Sequence, residues 1–196
     1  MRTTGGRPAA YPETPANSTM GIICAPKDEM TRPGIPELKK KAVEIRKDIV
    51  KMLSLAGSGH TGGSLSLVEI LLALYYHAIR HDPKRPDWRE RDRVLLSKGH
   101  GCPALYAVLA DCGYFPKEEL WRLRKLGSPL QGHPQRGLPG IEISSGSLGQ
   151  GLSIANGMAL AARLDRLDAR MYCILGDGET NEGQIWEAAI DRKSVV

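Results

Sequence analysis

The sequence predicts an α/β domain with a parallel sheet and helices on both of its faces. Two short apolar runs, Arg93 to Ser97 and Arg170 to Leu175, each end at a glycine, and segments with helical periodicity alternate with them. Parallel strands need crossover connections, and helices are the usual crossovers. With 196 residues, 41% of them hydrophobic and 25% charged, the chain is long enough to bury one real core.

The elements follow in order. Residues 1 to about 35 hold Pro8, Pro12, Pro15, Pro26 and Pro33 among Gly, Ser and Thr, with little periodicity, and read as a disordered extension. From Pro36 onward, Leu38, Ala42, Ile45, Ile49 and Met52 recur at spacings of four and three, with Gly57 placed to end the helix. Ser64 then reads as the cap of a second helix, Leu65 to Ile79, apolar almost all round and therefore buried on most sides. After a charged loop comes the first strand. Pro103 opens a helix through Asp111, and Lys117 to Lys125 reads as another. A glycine- and proline-rich loop, Gly127 to Ser147, leads to a helix of small apolar residues, Gly151 to Leu164, and then to the second strand.

Composition excludes several function classes. The longest apolar run is interrupted by Glu69 and falls short of the ~20 residues of a membrane span. The start of the chain lacks the apolar stretch of a secretory signal. The net charge of +5 comes largely from lysines and arginines interleaved with Glu37, Glu44 and Asp48 on one helix, which reads as a solvated face, and aromatic residues make up only 5%. Nucleic acid and membrane are therefore not expected partners. Cys24, Cys102, Cys112 and Cys173 show neither CxxC nor zinc spacing and read as reduced thiols of a cytoplasmic protein.

Ligands of parallel α/β sheets bind beyond the carboxyl ends of the strands. Gly176-Asp177-Gly178 directly follows the second strand. A carboxylate there, flanked by residues without side chains, can give an oxygen to Mg²⁺ while backbone amides approach a phosphate, although most such triplets are plain turns. Ser97-Lys98-Gly99-His100-Gly101 follows the first strand and precedes a helix, so an imidazole and a positive helix end meet there. Three of the five histidines, His60, His100 and His133, are preceded by glycine, which lets the backbone present the ring to a small ligand; His77 and His81 are assigned no role. Ser144 to Gly151 feeds a helix start and can cradle phosphate through its amides. It has neither the GxGxxG nor the GK[ST] pattern of the common nucleotide loops.

Taken together, SGHTGGSLS at 58 to 66, LLSKGHG at 95 to 101, LQGHP at 130 to 134, GSLGQG at 146 to 151 and GDGETNEGQIWEA at 176 to 188 resemble, in order and spacing, the thiamine diphosphate-binding N-terminal part of transketolases. The resemblance covers roughly residues 36 to 190 and is nearest in kind to the small N-terminal subunit of two-subunit prokaryotic enzymes. It implies the thiamine diphosphate-binding fold and transfer of a two-carbon ketol unit from a ketose phosphate to an aldose phosphate. It further implies that His100, Gly146, Ser147, Leu148 and Gly178 contact the cofactor and that Asp177 ligates its Mg²⁺, with Ca²⁺ or Mn²⁺ as substitutes. His60 and His133 would face the sugar phosphate as catalytic groups, and Glu182 would link two active sites across an interface formed by self-association. Ser147 stands where many single-chain relatives have proline, which leaves that loop less rigid.

The family's second metal ligand, an asparagine further along, falls past Val196, and the pyrimidine-binding domain is absent. The chain alone is therefore expected to be inactive and to need a transketolase C-terminal subunit. The last residues, Asp191 to Val196, depart from the family pattern and can be written as a common sequencing adapter, so they read as a non-native tail after Ile190. Two alternatives stand beside the transketolase reading. One is a non-catalytic thiamine diphosphate-binding or dimerisation module. The other is a different thiamine-dependent enzyme such as deoxyxylulose-phosphate synthase, in which the three histidines are not expected in this setting.

Overall fold

The first helix, α1 (Ile35–Ala56), forms where the four-and-three spacing predicts it, with Pro36 in its first turn and Gly57 closing it in the left-handed conformation, φ 66°. A computed structural model describes residues 32–191. The proposed N-terminal extension, up to residue 31, and residues 192–196 of the proposed tail lie outside those residues. Asp191 is described, as the end of the last helix. Ala42, Ile45, Ile49 and Met52 form the buried stripe of α1, and each large side chain contributes roughly 1.5–3 kcal/mol by leaving water.

The continuous helix expected over Leu65 to Ile79 is instead three pieces: α2 (Thr61–Leu65), α3 (Val68–Ala73) and a π-helical turn, Leu74–Ala78. Ser64 lies inside α2 rather than capping a helix, because its hydroxyl donates back to the His60 carbonyl at 2.8 Å. The Leu67 amide donates to the Ser64 carbonyl, a tighter three-residue closure, so the ladder changes register there. At the far end the Ile79 amide reaches the Leu74 carbonyl, a wider closure. Burial also falls short of the expectation, since Ile70 is 48% exposed.

The two strands, β1 (Arg93–Leu96) and β2 (Met171–Ile174), pair in parallel with Arg93 opposite Met171 and Leu96 opposite Ile174. Alternation along β2 sends Tyr172 and Ile174 toward the core with α1, α3 and α4. Met171 and Cys173 point the other way, into a groove beneath α5 (Gln150–Leu164). Helices thus cover both faces of the sheet, as the sequence predicts. At the amino ends of the strands, buried Asp92 accepts hydrogen bonds from the backbone amides of Arg80, 2.8 Å, and Arg170, 2.9 Å. That clamp holds the two strand starts together and leaves the carboxyl ends for the loops.

Between the strands, α4 (Cys102–Asp111) follows a 3-10 turn at Gly99–Gly101 and is buried along nearly its whole length. The helix expected over Lys117 to Lys125 is a 3-10 segment, Lys117–Arg122. It stops there because Leu123 turns to extended geometry and Arg124 adopts φ 61°. A last helix, α6 (Gly183–Asp191), packs on α5.

Candidate cofactor site

The loops at the carboxyl ends of β1 and β2 lie side by side, since the Ser97 amide donates to the Ile174 carbonyl at 3.0 Å. Between them and α2 is a cavity of about 410 Å³, walled by Gly62, Gly63, Ser66, Lys98, His100, Leu148, Gly176, Asp177, Gly178 and Glu179. Of the residues named from the sequence, the cavity brings together His100, Leu148, Asp177 and Gly178. His60 stands next to it, its ring centroid 5.2 Å from that of His100. His133 lies against the glycine loop, where a Cβ on Gly146 would come within 3.1 Å of its imidazole. Ser147 is exposed and outside the cavity wall. Glu182 is also exposed, with its Cβ close to Gly149 rather than to the cavity.

The electrostatics of His100 follow from its neighbours. Partial burial holds its pKa below the usual 6.5, and the charges of His60, Lys98 and His133 push the same way. His100 is therefore a mostly neutral ring at neutral pH, with one N–H to donate. Asp177 is exposed in the cavity wall.

Sequence reasoning missed the residue that organises this region. Glu179 is only 2% exposed. One of its carboxylate oxygens accepts the Ser97 hydroxyl and the Gly149 amide, the latter at 2.8 Å, and the other accepts the Gly176 amide at 2.9 Å. Ser97 in turn accepts the Gly151 amide at 3.1 Å. Gly149 and Gly151 lie at the start of α5, so Glu179 and Ser97 take up two of the amides at that helix end. The phosphate cradle expected from Ser144 to Gly151 is narrowed by this: the Gly149 and Gly151 amides are occupied from inside the protein. Nothing in the local sequence marks Glu179 as buried. A carboxylate two residues after Asp177 reads equally as a second cation ligand or a surface charge.

Two glycines permit these close approaches. A Cβ on Gly151 would fall 2.3 Å from the Ser97 hydroxyl oxygen, and one on Gly99 would fall 2.7 Å from the Ser145 carbonyl.

The cavity suits a diphosphate paired with a divalent cation. Asp177 is an exposed carboxylate, His100 and Lys98 are donors, and a Cβ on Gly62 or Gly178 would meet open space, which leaves the backbone accessible. The Ser145 hydroxyl, buried beside Gly99, has no hydrogen-bond partner among the described residues, leaving a donor to spare near the site. Among those residues no three His, Cys, Asp or Glu side chains gather as a metal-binding group.

Residues 38–191 match the family described as transketolase, thiamine diphosphate binding domain. The chain belongs to that family. It is 52% identical over 155 residues to the 6-deoxy-6-sulfo-D-fructose transketolase subunit SqwG of Clostridium sp. (strain MSTE9), a match covering 79% of this chain and 56% of that protein. It is 42% identical over 156 residues to an apulose-4-phosphate transketolase subunit of Phocaeicola vulgatus, covering 80% and 56%. Among solved structures it is similar to the transketolase of Campylobacter jejuni, with a TM-score of 0.74 and 38% identity over 80% of this chain and 26% of that one. The transketolase of Leishmania mexicana gives a TM-score of 0.73 and 34% identity, covering 77% and 24%. The chain thus spans about half the length of the subunit-type relatives and about a quarter of the single-chain transketolases. Both the transketolase assignment and the α/β thiamine diphosphate-binding fold expected from the sequence are borne out.

Proposed function

We propose that this chain is the cofactor-diphosphate half of a transketolase. With a C-terminal partner subunit, thiamine diphosphate and Mg²⁺, it transfers a two-carbon ketol unit from a ketose phosphate to an aldose phosphate. The observation that carries this reading is the meeting of Asp177, Gly178 and His100 in one glycine-walled cavity at the carboxyl ends of two parallel strands, in a transketolase-family domain.

In this reading Asp177 supplies one oxygen to the Mg²⁺, and the Gly178 amide and the His100 ring hold the diphosphate. Gly146, Ser147 and Leu148 run along the cofactor. Bound thiamine diphosphate supplies the carbon–carbon bond chemistry. His60 and His133, beside His100 and the glycine loop, bind sugar hydroxyls and move protons.

Exposed apolar side chains on α5 and α6, Leu160, Leu164, Trp186 and Ile190, support self-association, and Glu182, exposed just before α6, is the residue we assign as the link between sites. The word "subunit" in the names of the Clostridium and Phocaeicola relatives supports a separate partner chain. We place the protein in the cytoplasm on its thiol usage; no helix of the described residues is long and apolar enough to cross a membrane.

The test is ketol transfer between a ketose phosphate and an aldose phosphate, assayed for the chain alone and with the C-terminal subunit of a two-subunit transketolase. Calorimetry of thiamine diphosphate with Mg²⁺ accompanies both. Turnover only in the pair is expected. Turnover by the chain alone overturns the partner requirement. Cofactor binding without turnover in the pair favours the non-catalytic module, and no cofactor binding in either sample overturns the reading.

A further inference from the structure

Three loops meet at the candidate site, and each carries residues assigned above to the cofactor: 97 to 101 with His100, 146 to 151 with Leu148, and 176 to 179 with Asp177 and Gly178. They come from distant parts of the chain. Their only shared anchor among the described hydrogen bonds is the pair Glu179 and Ser97. Glu179 bonds to all three loops at once through Ser97, Gly149 and Gly176, and Ser97 adds a second bond to the glycine loop at Gly151. Both side chains are buried, Ser97 completely.

We propose that Glu179, acting through Ser97, is a positioning residue that sets the spacing of the three cofactor loops and thereby the affinity for the Mg²⁺–diphosphate pair. This rests on the reading of the cavity as the cofactor site. The geometry leaves no slack in it. Three donors converge on two carboxylate oxygens, so an amide side chain of the same size cannot serve them all. In either orientation its NH₂ group faces an N–H or a hydroxyl donor, and at least one buried donor is left unpaired. Glu179 reaches Gly176 on its own loop, whereas its bonds to Ser97 and Gly149 span 82 and 30 residues. The carboxylate therefore couples the Asp177 turn to the other two loops rather than only stiffening the turn itself. It also differs in kind from Asp177. Both Glu179 oxygens are turned to protein donors, which leaves Asp177 as the carboxylate of this turn for the cation.

The experiment compares the full chain with its Glu179→Gln and Ser97→Ala variants by two readouts that need no turnover. The first is hydrogen exchange at the amides of Gly149, Gly151 and Gly176 in the absence of cofactor. The second is the Kd for thiamine diphosphate with Mg²⁺ by calorimetry. Glu179→Gln should speed exchange at Gly149 and Gly176 and weaken cofactor binding by about tenfold, the cost of one unpaired buried donor. Ser97→Ala should speed exchange at Gly151 and weaken binding in the same direction by a smaller factor, and it carries the test if the Glu179 variant does not fold. Faster exchange with an unchanged Kd would reduce Glu179 to a purely structural role and overturn the proposal, as would unchanged exchange. If the unsubstituted chain binds no thiamine diphosphate while its three amides exchange slowly, the reading of the cavity has failed and the cofactor role of Glu179 fails with it. That outcome is distinct from one in which the unsubstituted chain and both variants bind equally.

Discussion

The imidazoles of His60 and His100 lie with their ring centroids 5.2 Å apart and their planes inclined by 56°. The pKa of His100 is held down by its partial burial first and by neighbouring His60 second.

A titration follows. With its pKa below 6.5, folded His100 binds fewer protons than the unfolded chain does. Its contribution to stability is therefore in place above pH 6.5 and falls as the pH drops toward the folded value. NMR titration should place His100 below an ordinary histidine, and His60→Ala should move it upward. An unchanged titration in His60→Ala would separate the two rings electrostatically.

The same substitution bears on function. In a complex with its partner subunit, His60→Ala should leave thiamine diphosphate affinity nearly intact and lower turnover, since His60 neighbours His100 but is not in the cavity wall. An equal loss of cofactor affinity would move His60 to the diphosphate side.

Asp177→Asn removes the charged oxygen donor of the cavity turn while keeping its shape. The Mg²⁺ concentration that half-saturates cofactor binding should rise by about tenfold or more, because Mg²⁺ depends on hard, charged oxygen ligands. Calorimetry over a Mg²⁺ series reads this directly, and an unshifted midpoint would remove Asp177 from the metal's shell.

Close packing at the loops predicts a steric result. Gly99→Ala would place its Cβ 2.7 Å from the Ser145 carbonyl, which is backbone and cannot swing aside. A loss of roughly 1–3 kcal/mol in urea unfolding is expected, the usual cost of overpacking. Gly178→Ala, whose Cβ meets open space, should stay within about 0.5 kcal/mol of the parent in the same assay.

Burial pushes the thiols of Cys102 and Cys173 up to about 12. At pH 8 only about one in ten thousand of each is thiolate, so alkylation followed by mass spectrometry should label them slowly in the native chain and fully after denaturation. Rapid native labelling would mean that the segment opens locally.

Much of the fold is legible because it rests on patterns read over a few residues. The α1 stripe, its Pro36 and Gly57 ends, both strands and the α5 helix stand where the periodicity places them. The misreadings share a cause. Leu65 to Ile79 looks like one helix because its side chains are uniformly apolar, yet the Ser64 back-bond and the shifted closures at Leu67 and Ile79 are backbone events that apolar composition does not encode. The Lys117 segment winds tighter and stops sooner than its charged pattern suggests, because Arg124 turns to positive φ.

By itself the sequence determined the α/β class, the strand ends that carry Asp177 and His100, and the family, because each depends on local periodicity or on ordered short motifs. Only the tertiary structure decided that Glu179 is buried and that it and Ser97 occupy the Gly149 and Gly151 amides at the start of α5. It also decided that the rings of His60 and His100, singled out by their glycines in the sequence, stand 5.2 Å apart. These are properties of contacts between segments far apart in the chain, and burial and hydrogen-bond partners across such distances are set by how the elements pack, not by the residues on either side.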